Sequence, residues 1–249
     1  MFGYTINVTP HIFNEKFERV ITLTSDATKD RIPYIKRIYK ENNIKSEFYF
    51  SVDPKILKEH RITPGGISCT SGHYGIISTA IIDEVDSILI LEDDVVLCDN
   101  HLQLLEEFFN KVEEWEILQL GYNYTKSLNW QYTPLFGSED EGYEFANSIV
   151  SVPHLTYGSH CFGLTKFVFE HWAKALRNSM HHKEDTPHHK KDHVYDLPFV
   201  QQADHVLSSM YCDFKSYIPT KNIIGALSNH KNDKEYFSEH DIEFNSIVS

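Results

Sequence analysis

Two patterns of apolar and polar residues alternate along the first half of the chain. Short β-branched or apolar runs, typical of strands, cover residues 19–24, 48–52, 87–91 and 116–121. Stretches with helical spacing lie between them, at 32–39, 73–81 and 102–115. Asp99 or Asn100 is positioned to cap the third helix, and residues 63–66 (Thr-Pro-Gly-Gly) predict a turn before the second. The alternation predicts an α/β fold with a parallel, helix-covered sheet.

The third apolar run ends in a cluster of carboxylates. Ser87-Ile-Leu-Ile-Leu91 shows no polar alternation, which is typical of a strand covered on both faces, and Glu92, Asp93 and Asp94 follow at once. Ligands of parallel sheets bind at the carboxyl ends of strands. Adjacent carboxylates repel one another unless a cation offsets their charge, and Mg²⁺ or Mn²⁺ would do so and bridge a diphosphate. The competing interpretation is that these acids only end a strand, face solvent or cap the following helix.

The second half of the chain is less regular. Residues 122–160 predict long loops with short strands, followed by helices over 166–177 and 200–210 and a strand at 214–218. The charged, histidine-rich segment 181–193 fits no usual zinc spacing and contains Pro187. It therefore predicts a mobile surface loop, which could order as a lid on ligand binding. No linker divides the chain, so residues 1–249 predict a single domain.

Composition narrows the classes of function. The 249 residues are 41% hydrophobic and 13% aromatic, as in an ordinary packed globule, and the formal net charge of −13 disfavours nucleic-acid binding. No apolar run reaches the length of a membrane span, and the N-terminus lacks the pattern of a secretory signal. The four cysteines are scattered without a Cys-x-x-Cys pair. We therefore expect a cytoplasmic protein with reduced thiols.

The acidic cluster also carries a family resemblance. The segment 88–97 (ILILEDDVVL) resembles the "lEDDv" signature of glycosyltransferase family 25, which includes lipopolysaccharide and collagen galactosyltransferases. Segments that resemble other motifs of the family follow in the right order, at 20–31, 48–53, 65–73, 117–121, 157–164 and 202–207. The resemblance covers roughly residues 18–232. The chain departs from the family pattern at Ser68, Gly72, Gln202 and Ala203 and in an insertion at 181–193. Such departures are typical of a divergent bacterial or viral member, and they leave the acceptor open.

The resemblance implies a GT-A-like, Rossmann-type catalytic domain with a mostly parallel sheet. Its nucleotide-sugar-binding half would be 18–125 and its acceptor-side half 126–232. The implied activity is the transfer of a hexose, galactose or glucose, from a UDP-sugar to a glycan or a hydroxylated acceptor, with inversion. The implied cofactor is Mn²⁺ or Mg²⁺.

The family's metal and donor functions are carried over to particular residues. Asp94 would bind the metal and Glu92 the ribose or uracil of the donor, while Asp93 would contact the donor or orient the turn. Arg31 would pair with the donor phosphates, since a guanidinium matches a phosphate well; the alternative is a solvated charge. His230, near the C-terminus, would complete the metal ligands unless it is simply exposed.

Two further residues complete the predicted site. Asp204 would be the base that deprotonates the acceptor hydroxyl, against the alternative of a carboxylate on a helix surface. His73 would orient a loop or contact the donor, although a core histidine whose hydrogen bonds are satisfied is the preferred interpretation.

Two other functions stay open from the residues alone. Carboxylates at a strand end also suit a metal-dependent phosphohydrolase, and a degenerate transferase could persist as a non-catalytic binding module. The reaction products distinguish a transferase from a hydrolase, because a transferase yields UDP and an extended glycan and a hydrolase releases phosphate.

Overall fold

Nine strands and six α-helices are defined in the computed structural model, which describes residues 10–56, 64–123, 150–151, 157–181, 203–208, 210–211, 213–219 and 223–226. The strands are β1 (Arg19–Ser25), β2 (Glu47–Ser51), β3 (Ser87–Glu92), β4 (Val95–Leu97), β5 (Ile117–Asn123), β6 (Val150–Ser151), β7 (Tyr157–Thr165), β8 (Ser216–Pro219) and β9 (Ile224–Ala226). The helices are α1 (Ile12–Lys16), α2 (Ile32–Glu41), α3 (Pro64–Ile82), α4 (His101–Phe109), α5 (Lys166–His181) and α6 (Ala203–Ser208).

Seven of the strands form one sheet, in the order β2-β1-β3-β7-β5-β8-β6. Strands β1, β2, β3, β5 and β8 share one direction, because β1 pairs in parallel with β2 and β3, and the antiparallel β7 joins β3 to β5. The remaining two strands, β4 and β9, pair separately as an antiparallel ribbon. The predicted α/β class, a mostly parallel sheet flanked by helices in a single domain, is confirmed.

The sheet separates two hydrophobic cores, and β3 contributes to both. Leu89 and Leu91 pack in one core with residues of α1, α2 and α4, while Ile88 and Ile90 pack in the other with residues of α3, α5 and α6. Successive side chains of a strand point to opposite faces. The unbroken Ile-Leu-Ile-Leu run is therefore what a strand between two helical layers requires.

Two local predictions were wrong. The expected turn at 63–66 is the start of a helix, since α3 begins at Pro64 and includes both following glycines. Proline suits the first helical turn, where its missing N–H leaves no hydrogen bond unmade. The helical spacing predicts a buried stripe on α4 that includes Leu102, Leu105 and Phe109. The helix buries Leu105 and Phe109, and also Phe108, but Leu102 is 45% exposed. Asn100 is the N-cap of α4, without a capping hydrogen bond from its side chain.

Close packing of α3 on the sheet explains one departure from the family pattern. A Cβ at Gly72 would lie 2.5 Å from Leu23 Cδ1 and 2.9 Å from Ser51 Cβ. The family's serine would not fit there without movement of β1 or β2.

Several predictions lie outside the described residues. They include nearly all of the 181–193 loop and the boundary between the two proposed halves at 125/126. Within the described helices, none is both long enough and apolar enough to cross a membrane.

Candidate active site

The end of β3 separates the carboxylates of the acidic cluster. Glu92 follows Ile90 on the face toward α3, and Asp93 follows Leu91 on the face toward α2. Asp94 lies in the turn between β3 and β4. Three consecutive acids therefore meet three different environments.

Asp93 is fully engaged by neighbouring side chains. Its Oδ2 accepts hydrogen bonds from the hydroxyls of Thr24 (2.6 Å) and Thr28 (2.5 Å), and its Oδ1 accepts from Arg31 Nη1 (2.9 Å). The residue is 5% exposed. This arrangement braces the end of β3 against the end of β1 and the 3₁₀ turn Lys29–Arg31, and it matches the alternative in which Asp93 orients the turn.

Asp94 has the opposite character. Its Oδ2 lies 3.3 Å from Arg31 Nη1, whereas its Oδ1 is buried without a hydrogen-bond partner among the described residues. Burial, together with the charge of Glu92, raises the pKa of Asp94 to about 7, although Arg31 works in the other direction. A buried carboxylate oxygen without a partner is costly. A cation beside it would remove that cost.

Arg31 joins the two aspartates and is the described cation nearest the cluster's turn. Its Nη1 donates to both carboxylates, and 22% of its side chain stays exposed. Burial opposes its charge, but Asp94 and Asp93 outweigh burial and raise its pKa further. The predicted contact with donor phosphates stays a prediction; the structure places the guanidinium beside the predicted metal ligand.

Glu92 faces a different set of side chains. Its Oε1 accepts a hydrogen bond from Ser159 of β7 and lies 3.6 Å from Cys69 Sγ and 3.5 Å from His73 Nε2. Burial alone would raise the pKa of Glu92, but His73 and Ser159 outweigh it and lower the pKa to about 2. The Glu92 side chain keeps a quarter of its surface exposed. Its predicted donor role stays a prediction.

His73 lies in the core on α3, but its hydrogen bonds are not satisfied among the described residues as the preferred interpretation expects. It has no exposed surface, and its ring packs against Phe162 (5.3 Å between centroids) and Trp172 (5.4 Å). Neither ring nitrogen has a hydrogen-bond partner among the described residues. Any effect of His73 on a donor would therefore pass through Glu92.

Asp204 lies in the first turn of α6, near the same end of the sheet. Its Oδ2 accepts a hydrogen bond from the backbone N–H of Gly158 (3.3 Å), and the side chain is half-buried. The charges of Asp204 and Glu92 both act on Cys69 and on the buried His160. The structure thus gathers the predicted base and Glu92 around shared neighbours. His230, the second predicted metal ligand, lies outside the described residues.

Sequence reasoning missed the partners of these acids. They are Thr24, Thr28, Cys69, Ser159 and His160. The sequence does contain one signal of these contacts: Cys69 and His73 are four residues apart, and residues at that spacing lie on the same face of a helix. Burial lowers the pKa of His160, whose Nε2 has no partner among the described residues. A Cβ at Gly121 would meet that ring at 2.7 Å.

The described residues fit a divalent cation at one carboxylate of the cluster. Asp93 is already engaged by three donors, and Glu92 turns toward α3. Asp94 alone of the three offers a buried oxygen without a partner among the described residues. Carboxylate oxygen is the ligand that Mg²⁺ and Mn²⁺ prefer.

An α/β sheet with carboxylates and an arginine at its ligand-binding edge is typical of enzymes that handle a charged ligand. The chain belongs to a family of such enzymes: the model described as "Glycosyltransferase family 25 (LPS biosynthesis protein)" matches residues 13–149, more than half of the chain. The protein is therefore a glycosyltransferase, and the family resemblance is confirmed. Membership favours the transferase prediction over the phosphohydrolase.

Two solved structures are similar to the chain at low sequence identity. One is a glycosyltransferase involved in the glycosylation of the major capsid of PBCV-1, with 9% identity over 90% of this chain and 98% of that chain and a TM-score of 0.46. Another is A197 from STIV, with 12% identity over 85% and 95% and a TM-score of 0.37. We rest no conclusion on either likeness. No curated protein matches the chain.

Proposed function

We propose that the enzyme transfers a hexose, galactose or glucose, from a UDP-sugar to a hydroxyl of a glycan or of a hydroxylated acceptor, with inversion and with Mn²⁺ or Mg²⁺ at Asp94. The observation that carries this proposal is the Asp94 carboxylate: one oxygen beside Arg31, the other buried without a partner among the described residues. Family membership supports a sugar donor and an acceptor.

Asp94 and Arg31 would hold the diphosphate of the donor. A divalent cation bound at Asp94 would neutralise the charge that develops on the departing diphosphate. Arg31 supplies a second positive charge next to it, and Asp93 keeps that guanidinium in place by accepting from the same Nη1. Glu92 would contribute to the nucleoside side of the pocket, and His230 would be a further metal ligand.

Asp204 would serve as the base. In an inverting transfer the acceptor hydroxyl attacks the anomeric carbon, the bond from that carbon to the diphosphate oxygen breaks, and the hydroxyl proton passes to a base. Asp204 is half-buried near the same strand ends as Glu92, which supports that role. Residues 18–125 would then bind the donor and 126–232 the acceptor, with 181–193 as a mobile loop beside the site.

A screen of donor hydrolysis tests the proposal without knowledge of the acceptor. The purified chain is incubated with a panel of nucleotide sugars, with Mn²⁺ or with EDTA, and released nucleoside diphosphate is measured. We expect UDP from UDP-galactose or UDP-glucose, dependent on the metal. Release of inorganic phosphate from phosphoesters instead would support a phosphohydrolase, and UDP binding without turnover of any donor would support a non-catalytic module.

A binding titration tests the assignment of Asp94. We expect Mn²⁺ to strengthen UDP binding to the wild type, and Asp94→Ala to reduce that Mn²⁺-dependent gain at least about tenfold. Asp99→Ala, an exposed acid downstream of the cluster, is the matched control and should behave as wild type. Unchanged Mn²⁺-dependent binding in Asp94→Ala would show that the metal lies elsewhere.

A further inference from the structure

We propose that Cys69, His73 and Glu92 form a second metal site, suited to Zn²⁺ or a similar borderline transition-metal ion and separate from the cation expected at Asp94. One sulfur, one imidazole nitrogen and one carboxylate oxygen, all within 4.8 Å of one another, converge there from α3 and the end of β3.

Local structure brings the three ligands together. Cys69 and His73 are four residues apart on α3, so their side chains lie on one face of the helix, one turn apart. That face packs on the sheet, where Glu92 ends β3 on the same side as Ile90. The fixed helix and strand hold the ligands in place without any loop.

Two of the three separations between the ligand atoms fit a tetrahedral ion. Zinc binds sulfur at about 2.3 Å and nitrogen or oxygen at about 2.0–2.2 Å, so tetrahedral angles place a sulfur and an oxygen ligand about 3.6 Å apart and a nitrogen and an oxygen ligand about 3.4 Å apart. The observed separations are 3.6 Å from Cys69 Sγ to Glu92 Oε1 and 3.5 Å from His73 Nε2 to the same oxygen. These two separations already match those around a bound ion, and the sulfur and the imidazole nitrogen lie within 4.8 Å of each other.

An independent observation also points to a ligand. His73 is completely buried, and neither of its ring nitrogens has a hydrogen-bond partner among the described residues. Nε2 lies 3.5 Å from Glu92 Oε1 without a hydrogen bond to it. A buried nitrogen without a hydrogen bond costs free energy, and a metal bond to Nε2 would offset that cost. Ser159 donates to the ligating carboxylate oxygen, as residues behind metal ligands commonly do.

Charge and access favour the same conclusion. A thiolate and a carboxylate around a neutral imidazole carry two negative charges, which a divalent cation would balance. On binding, the Cys69 thiol loses its proton to solvent and its sulfur forms the metal bond. Cys69 and Glu92 are both half-buried rather than sealed, so an ion has a path to them. Three protein ligands leave a fourth position open.

The ligand set separates this site from the one at Asp94. A thiolate ligand favours Zn²⁺-like ions, whereas Mn²⁺ and Mg²⁺ are held mainly by oxygen ligands such as the Asp94 carboxylate. The two sites also face different neighbours, since Asp94 contacts Arg31 and Glu92 turns toward α3. An ion bound at the second site would tie α3 to the end of β3.

Cobalt titration of the whole chain tests the proposal. Protein stripped with EDTA and kept in a thiol-free reductant is titrated with Co²⁺, and the charge-transfer absorption of a thiolate–cobalt bond is followed. We expect saturation at one equivalent, displacement by Zn²⁺ and no displacement by equimolar Mn²⁺. Cys69→Ser should abolish the absorption, and Glu92→Gln should weaken binding at least about tenfold. Circular dichroism checks that each variant is folded.

Two control variants make the outcome decisive. Cys98→Ser removes a different buried thiol and should keep the full absorption. Asp94→Asn should also keep it, so failure at this site and failure of the proposed transferase site are distinguishable. The proposal is overturned if the wild type shows no thiolate–cobalt absorption, if the absorption survives in Cys69→Ser, or if Glu92→Gln binds Co²⁺ as tightly as the wild type.

Discussion

Asp93 and Asp94 carry the same side chain one residue apart, yet their surroundings differ in kind. Asp93 accepts from two threonine hydroxyls and from Arg31, whereas Asp94 Oδ1 has no partner among the described residues. A buried carboxylate whose oxygens accept hydrogen bonds stabilises the fold, whereas one that lacks them lowers stability as long as no ligand is bound. Removal of the Asp93 charge should therefore lower the free energy of unfolding, whereas removal of the Asp94 charge should not.

Replacement of each aspartate by asparagine tests this difference. Asp93→Asn places an amide against three donors, so we expect the free energy of unfolding to fall by about 3 kcal/mol. Asp94→Asn removes a charge that burial disfavours, so stability should be unchanged or slightly higher at pH 7. Urea unfolding without added metal measures both. An equal loss in the two variants would contradict the assigned roles.

At the residue scale, the acidic cluster could be predicted from the sequence, but the different contacts of its three carboxylates could not. An apolar run that stops at three acids indicates a strand end that faces a ligand. The partners of those acids come from β1, the 3₁₀ turn, α3 and β7, between 23 and 69 residues away in sequence. Such contacts depend on packing that no local pattern records.

At the scale of single elements, α3 shows how packing can require a particular residue. Its Gly72 lies against Leu23 and Ser51, where a Cβ would come closer than real Cβ atoms do. Gly65, on the same helix, has nothing within 4 Å of the position where its Cβ would be. The two glycines therefore differ in the free volume around them, although both lie in α3.

Gly72→Ser, which restores the family's residue, is therefore expected to destabilise the protein. Overpacking should cost about 1–3 kcal/mol, partly offset by a gain in helix propensity of about 0.5 kcal/mol. Gly65→Ala is the matched control and should be neutral or stabilising by up to about 1 kcal/mol. Thermal unfolding of the two variants measures the contrast. Equal stability of Gly72→Ser and wild type would show that β1 and β2 adapt easily.

Sequence patterns identified most elements of the first half, though not α1 or β4, because those elements have a local signature. β3 is a continuous apolar run, and α2 buries Ile35, Ile38 and Tyr39 at helical spacing. The N-terminus of α3 was missed because Pro-Gly-Gly is also the composition of a turn, and only the packing of the helix decides between them.

At the scale of the whole molecule, the least predictable feature is the position of β7. This strand contains Gly158, Ser159, His160 and Gly163, a composition without a clear strand signal, and yet it lies between β3 and β5. It pairs antiparallel with both, across roughly 70 and 40 residues of chain. Loop closure over such distances is set by the global fold rather than by local preference. The α/β class was predictable because it depends on the alternation of elements, but the strand order was not.

A pair of stacked histidines joins α1 to α4. His11 caps α1 by accepting from Phe13 N (3.2 Å), and its ring stacks on His101 at 5.6 Å. Burial, and then the charge of His101, lowers the pKa of His11 to about 4, and burial also lowers the pKa of His101. The folded chain therefore binds fewer protons at these rings than the unfolded chain does.

This pair should make the fold less stable in mild acid. A histidine whose pKa is lowered from 6.5 to about 4 contributes its full stability above pH 6.5 and loses it as the pH falls toward 4. Asp94, whose pKa is raised, acts in the opposite direction, so the pH dependence of wild-type stability does not isolate the effect of His11.

His11→Asn keeps a capping acceptor but removes the titrating ring. We expect the stability advantage of wild type over this variant to shrink by about 2 kcal/mol between pH 7 and pH 5. Urea unfolding at the two pH values measures it, and an advantage that stays constant would mean that His11 is not held neutral by the fold.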